Sequence, residues 1–480
     1  MKTEFIGREL TNCAMKKPLT LLSVTAIALV AFFLLPDRSL LDEGGVSYES
    51  DYPYKGTFAF TNVNVIPMTE EGLVLENHTV IVKDGVITTV TDSDRIKFTP
   101  DTEIIDGTGK YLMPGLAEMH GHVPPTHPSP NAPSYFNNEY VEHTLFLYVS
   151  AGITTVRGML GYDHQLELKD RVNKGELIGP NLYLAGPSFN GNTVSSPEQA
   201  EEKVIQQVEE GWDLLKIHPG LTLDEYNAMA EKANELGIAF GGHVPADVGI
   251  VRAIDAGQLT MDHTDGYVAY LSAFEGAERE TKMAEIIQKT LDNDVWIVPT
   301  QALWETIIGA GDYEAMQQYD ELKYIPQAVR NGYNNWVNNN IKNNPNLNVE
   351  DALEHAELRR VLLEKMNEAG VFILMGTDAP QLFSVPGFSI HRELPKMVEA
   401  GMSPYEIIHS GTKNVGDYFD DRANFGTIED GKRADLILVN SNPLEDIANI
   451  QNHSGVMVMG NWLSREMIDE KLKEIEASYN

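Results

Sequence analysis

With 480 residues, 42% of them hydrophobic and 22% charged, the chain has enough apolar material for one large core or two smaller ones and is too apolar to be disordered. Thirty-six basic residues against 71 acidic ones give a formal charge of −35, which disfavours a phosphate backbone and excludes nucleic acid as the expected partner. The charge speaks to solubility and association, not to fold.

The run Leu19 to Leu35 is apolar apart from Thr20, Ser23 and Thr25, follows Arg8, Lys16 and Lys17, and precedes Pro36-Asp37-Arg38. It reads as a signal-type segment at the lower length limit for spanning a bilayer. No small-x-small cleavage site follows it, so an uncleaved transmembrane anchor over residues 1–36 is preferred to a cleaved secretory signal. The basic flank predicts that the N-terminus stays inside and the rest of the chain is exported to the periplasmic or extracellular side. Cys13, the only cysteine, precedes the run, so the exported part has no thiol for catalysis, metal ligation or disulfides.

Residues 37–56 read as a linker. Short β-branched runs then follow at Phe58 to Phe60, Val63 to Pro67, His78 to Val82 and Val86 to Val90, the last two separated by the turn pair Asp84-Gly85. They predict a small antiparallel sheet, and a similar unit returns at Asp435 to Val439 and Gly455 to Met459. Between them, strand-like runs alternate with helical ones, the pattern of parallel βαβ units. The runs are Tyr111 to His120, Ile153 to Arg157, Asn181 to Ala185, Asp213 to Ile217, Ile238 to His243, Leu259 to His263, Trp296 to Thr300 and Val371 to Thr377. Eight such runs are what a closed α/β (β/α)8 TIM barrel needs. Ser196 and Thr222 each stand three positions before Gln or Glu and predict helix starts. The stretch from Gln301 to Gly370 exceeds a βα connection and predicts extra helices over the barrel mouth as a lid or substrate wall. The loop Val123 to Tyr140 holds five prolines and predicts a stiff rim.

Chemistry concentrates at the strand ends. His120 and His122 alternate along the first run, so both imidazoles can face one metal ion. Lys216, His243, His263 and Asp378 end the fourth, fifth, sixth and eighth runs, on the rim where a barrel keeps its active site. His218, His355 and His409 lack that placement and are left as surface or supporting residues.

On these residues the chain resembles the amidohydrolase superfamily. The resemblance covers nearly all of residues 57–465. It is carried by Gly107 to Leu116 leading to His120 and His122, by Gly152 to Arg157, by Gly376-Thr377-Asp378, by Gly387 to Leu394, and by Gly426 to Leu436. Within the superfamily it is most similar to the Xaa-Pro dipeptidase-like, imidazolonepropionase-like and ochratoxinase-like branch. The resemblance implies a β-sandwich built from 57–115 and 425–480, the latter ending in a helix, beside a barrel over 116–424. It also implies two divalent metal ions, zinc being the expected choice: His120, His122 and Asp378 would hold one, His243 and His263 the other, and a carboxylated Lys216 both. Hydroxide would bridge the ions, and Asp378 would be the catalytic base that passes a proton to the leaving amine. One departure is Gly158-Met159 after Arg157, where the family has Asp, pointing to a different pocket floor. Tyr267, His391 and Arg157 are the expected substrate contacts, for carbonyl polarisation or carboxylate binding. The expected reaction is hydrolysis of a C–N bond in a small amide or peptide-like molecule such as a dipeptide or N-acyl amino acid. Alternatives are a mononuclear cyclic-amide hydrolase, a lactone or organophosphate hydrolase, and a non-catalytic metal-binding membrane protein. Association into a homo-oligomer stays open.

Overall fold

The computed structural model describes residues 51–125, 137–420 and 424–479. The apolar run Leu19 to Leu35 and most of the linker lie outside the described residues; among these no helix is long and apolar enough to cross a membrane.

Both ends of the described chain meet in one sheet of eight strands. The N-terminal part supplies Thr57–Val65, Leu75–Lys83, Val86–Asp92, Thr102–Asp106 and Tyr111–Pro114; the C-terminal part supplies Leu436–Val439, His453–Val458 and Asn461–Ser464. Leu436 pairs with Pro114 and Val439 with Tyr111 in an antiparallel ladder, which joins the two parts. The sheet is mixed where the sequence predicted an antiparallel one, because Thr57–Val65 runs parallel to both Thr102–Asp106 and Tyr111–Pro114. Asp84 (φ 50°) and Gly85 (φ 84°) make the two-residue turn that the sequence placed there, both in the left-handed region such a hairpin requires. Phe60, Val80, Val82, Leu112, Leu436 and Leu438 bury the sheet's inner face.

The barrel strands are Leu116–Gly121, Ile153–Gly158, Asn181–Leu184, Leu215–Ile217, Phe240–Gly242, Thr260–Asp262 and Trp296–Val298, all pairing in parallel. An Ala185–Leu214 bridge links the third to the fourth. The eighth position is an extended segment with one bridge, Ile297 to Ile373, in place of the full strand predicted over Val371 to Thr377. It still closes the barrel: Leu374 N donates to Ile297 O (2.8 Å) on one side, and Met119 N donates to Met375 O (2.8 Å) on the other.

The run predicted from Tyr111 to His120 is two strands, one in each layer. Gly115 is the break, its N–H donating to Asp435 O (2.8 Å) while Leu116 N–H bonds Gly152 O (3.0 Å). A Cβ at Gly115 would stand 2.2 Å from Thr154 Oγ1, so only glycine lets the chain cross from sheet to barrel so close to the second barrel strand.

Helices Pro197–Glu210 and Leu223–Leu236 start where predicted, with Ser196 accepting from Gln199 N and Thr222 forming a full capping box with Glu225. Thr222→Ala is expected to cost about 1 kcal/mol, read as a lower denaturant midpoint at unchanged slope. The stretch after Gln301 forms helices Gln301–Ile308, Tyr313–Met316, Gln327–Val337 and Val349–Glu368. At the C-terminus, helix Arg465–Ser478 follows the last sheet strand.

Candidate metal centre and active site

His120 and His122 leave the first barrel strand on the same side, with ring centroids 5.5 Å apart. His263 follows the sixth strand, its ring 4.3 Å from His120 and 4.6 Å from His243. Asp378 completes the group: His122 Nε2 lies 2.6 Å from Asp378 Oδ1, His120 Nε2 3.6 Å from the same oxygen, and His263 Nε2 3.7 Å from Oδ2. One ligand atom each from His120, His263 and Asp378 falls within 4.8 Å of the others. Lys216 reaches the same centre, its Nζ 3.2 Å from His120 Nε2. All six residues assigned as ligands from the sequence therefore converge at the C-terminal mouth of the barrel.

A second layer orients them. His120 Nδ1 faces Asp262 Oδ2 at 2.8 Å, His243 Nδ1 faces Asp265 Oδ2 at 2.7 Å, and His263 Nδ1 pairs with Thr300 Oγ1 at 2.7 Å. At His243 and His263 the hydrogen bond occupies Nδ1 and leaves Nε2 for the shared centre, the arrangement metal-binding histidines use, and at His120 the Asp262 carboxylate approaches Nδ1 as a close charged neighbour. His263 Nε2 is buried without a hydrogen-bond partner among the described residues. An unpartnered buried nitrogen costs free energy, and a cation ligand would relieve it. This donor set of imidazoles, carboxylate and amine thus fits a divalent ion.

Backbone strain collects in the same place. His263 (φ 66°), Thr264 (φ 55°), Thr300 (φ 46°) and Asp378 (φ 62°) all sit in the left-handed region without being glycine. Such residues persist where the surroundings over-determine them, and they cluster at functional sites.

Burial sets the protonation states. It pushes the His120 and His263 imidazoles far below their usual range, with nearby positive groups adding to it, so both stay neutral with lone pairs free. Burial also pulls the Lys216 amine down to about 8, against the opposing pull of Asp262 and Asp378. Burial alone would raise Asp262, but the Arg157 guanidinium and Lys216 hold it low and ionised.

The three expected substrate contacts are corrected. Arg157 is fully buried beneath the ligands: its Nε donates to Met119 O (2.6 Å), Nη2 to Asp262 Oδ1 (3.1 Å) and Nη1 to Thr260 Oγ1 (3.0 Å). It is a positioning residue that holds Asp262, which in turn holds His120. Tyr267 is also fully buried, its hydroxyl 2.8 Å from Thr290 Oγ1. Helix Asp265–Leu271 starts straight after the strained Thr264 and turns that side chain away from the cavity. His391 sits in helix Ile390–Glu399 with His453 and Arg392 as electrostatic neighbours and does not line the cavity; burial holds it neutral, down to about 3.

Sequence reasoning missed His218, Asp262, Asp265 and Thr300. His218 lines the cavity with its ring 5.2 Å from His243, and burial together with Lys216 and His243 lowers it to about 2. The signal was present: Lys216 and His218 alternate as His120 and His122 do. Asp262 flanks His263 but carried no motif of its own. Asp262→Asn is expected to weaken metal binding about 10–100-fold. It also leaves Arg157 buried without its counter-charge, which costs about 3–5 kcal/mol of stability. Metal titration and denaturant unfolding of the same variant check both, and an unchanged metal affinity would remove Asp262 from this role.

A cavity of about 540 Å³ opens over the centre, within the usual range for small-molecule sites. Pro124, Pro125 and Tyr140 form part of its rim, and Trp304, Val329 and Tyr333 from the helical insertion form part of its wall.

The sequence profile of the Amidohydrolase family matches residues 111–463, spanning the barrel and the joining strands. The chain belongs to this family. As an amidohydrolase it is a hydrolase acting on carbon–nitrogen bonds. The amidohydrolase is 21% identical over 453 residues to an ochratoxinase from Aspergillus niger, covering 80% of this chain and 82% of that one. An adenine deaminase from Ruegeria sp. is 24% identical over 370 residues, covering 76% of this chain and 51% of the relative. Among solved structures, a bottromycin amidohydrolase superposes with a TM-score of 0.69 at 19% identity, covering 88% and 91% of the two chains. A Xaa-Pro dipeptidase with bound methionine gives 0.63 at 22% identity, covering 85% and 100%. At these identities the structural likeness establishes the fold.

Proposed function

We propose that this amidohydrolase is a binuclear metal enzyme that adds water across the C–N bond of a small amide or peptide-like molecule. The observation that carries the reading is the convergence of four imidazoles, Asp378 and a fully buried Lys216 on one centre. In this reading His120, His122 and Asp378 would hold one ion, His243 and His263 the other, and Lys216, once carboxylated on Nζ, would contribute to both. The name of one structural neighbour, a Xaa-Pro dipeptidase, supports a peptide-like substrate. Zinc suits these ligands.

Two bound cations would supply Lewis acidity, polarising the carbonyl and lowering the pKa of water. The protein's own groups do the rest. Asp378 takes the proton from the attacking water and delivers it to the amine nitrogen as the C–N bond breaks, giving a carboxylic acid and an amine. Asp262, Asp265 and Thr300 keep the imidazoles in the ligating tautomer. The wall formed by Trp304, Val329 and Tyr333 sets aromatic and aliphatic surface beside the ligating side chains and limits bulk water there.

Lys216 favours two ions over one. A lysine must be neutral to capture carbon dioxide, and burial brings its amine down to about 8. Elemental analysis of protein purified with bicarbonate and without chelator tests the count: about two ions per chain is expected from this ligand set, whereas one ion would favour the mononuclear cyclic-amide hydrolase.

A further inference from the structure

The cavity walls bear on which amide can enter. Leu160 and Tyr162 after the second barrel strand, and Trp304, Ile307, Val329 and Tyr333 from the helical insertion, present mainly aliphatic and aromatic surface. No lysine or arginine is among the described residues that line the cavity. Residues 126–136 lie outside the described residues, and their sequence contains neither.

The basic residues close by are already committed. Arg157 is fully buried and spends its guanidinium on Asp262, Met119 O and Thr260. Arg359 is almost fully buried, lies 4.3 Å behind the Trp304 ring, and donates to His263 O and Thr264 Oγ1. The residues first expected to contact substrate, Arg157, Tyr267 and His391, do not line the cavity. The formal charge of −35 adds a long-range field that repels anions.

We infer that the cavity selects an uncharged amide, with apolar or aromatic groups flanking the scissile bond and no free carboxylate on either side. The inference rests on the hydrolase reading and narrows its substrate class. It sets aside free dipeptides and N-acyl amino acids, the substrates the sequence pointed to, because away from the metal centre their carboxylate would lie against the Leu160, Ile307 and Val329 wall, where no lysine or arginine among the described residues replaces its hydration. Aryl and alkyl amides, blocked peptides and neutral lactams keep the fitting chemistry.

The test separates recognition from reaction. Benzanilide and its two mono-carboxylated derivatives, one on the acyl ring and one on the amine ring, serve as substrates for the metal-loaded full chain. The three matching ketones, with CH₂ in place of N–H, serve as inert ligands in calorimetry. The neutral ketone is expected to bind at least about tenfold more tightly than either carboxylated one, since the charged ring loses hydration against a wall that offers no lysine or arginine among the described residues. Leu160→Arg and Ile307→Lys, each adding a cation to a different wall, are expected to narrow or reverse that preference while metal content stays unchanged. A carboxylated ketone that binds the unaltered chain as tightly as the neutral one, or no binding by any of the three, overturns the inference. Turnover is read separately: ketone binding in the expected order with none of the amides hydrolysed would sink the hydrolase reading while leaving the ligand class standing.

Discussion

Asp378→Asn is expected to lower kcat by about 10²–10⁴-fold while the fold and most of the bound metal survive. Asn is the appropriate replacement because Asp378 holds φ at 62°, a conformation Asn tolerates far better than Ala or Val. The amide oxygen keeps a ligating lone pair and can still meet His122 Nε2, which lies 2.6 Å from the carboxylate. What it loses is the capacity to take a proton from water and return it to the leaving amine. Paired measurements of kcat and metal content decide the matter. Low turnover with metal retained assigns the base role to Asp378, and turnover near the unaltered level assigns it elsewhere.

Lys216→Ala is expected to reduce bound metal from about two ions per chain to one or none, with loss of turnover. The side chain is fully buried, so its removal also ends the cost of desolvating a charge and leaves a small cavity. Lys216→Met fills that space without an amine and controls for packing. Loading should also depend on pH. The reactive form is the neutral amine, and with its pKa brought down to about 8 the fraction available falls as pH drops through that value. At equal dissolved carbon dioxide, apo protein should therefore reconstitute well at pH 8. At pH 6 it should do so poorly, since the neutral fraction falls about tenfold per pH unit below the pKa. Two ions bound by Lys216→Ala would remove the carbamate from the centre.

How the site was legible follows from local periodicity. His120 and His122 reveal themselves by alternation on one strand, and the other candidate donors by ending the fourth, fifth, sixth and eighth barrel runs, because a parallel barrel collects all its C-terminal ends on one rim. The same logic would have found His218, two residues after Lys216. Arg157, Tyr267 and His391 show where proximity in sequence misleads. Arg157 lies within a barrel strand but points into the packed interior toward Asp262, while Tyr267 is only four residues from a ligand yet is turned away by the helix that begins at Asp265.

By itself the sequence determined the alternating βαβ order, the helix starts at Ser196 and Thr222, the hairpin at Asp84-Gly85 and the six convergent donors, all features set by short-range period and turn chemistry. Only the tertiary structure decided that Gly115 divides one apparent strand between two layers and that Thr57–Val65 takes parallel partners. It alone set Asp262, Asp265 and Thr300 beside the histidines and left the described lining of the cavity without lysine or arginine. These depend on which distant segments meet. Gly115 is fixed by Thr154, His120 by Asp262 and the cavity wall by the Gln301 to Gly370 insertion, and no local pattern encodes such long-range pairings.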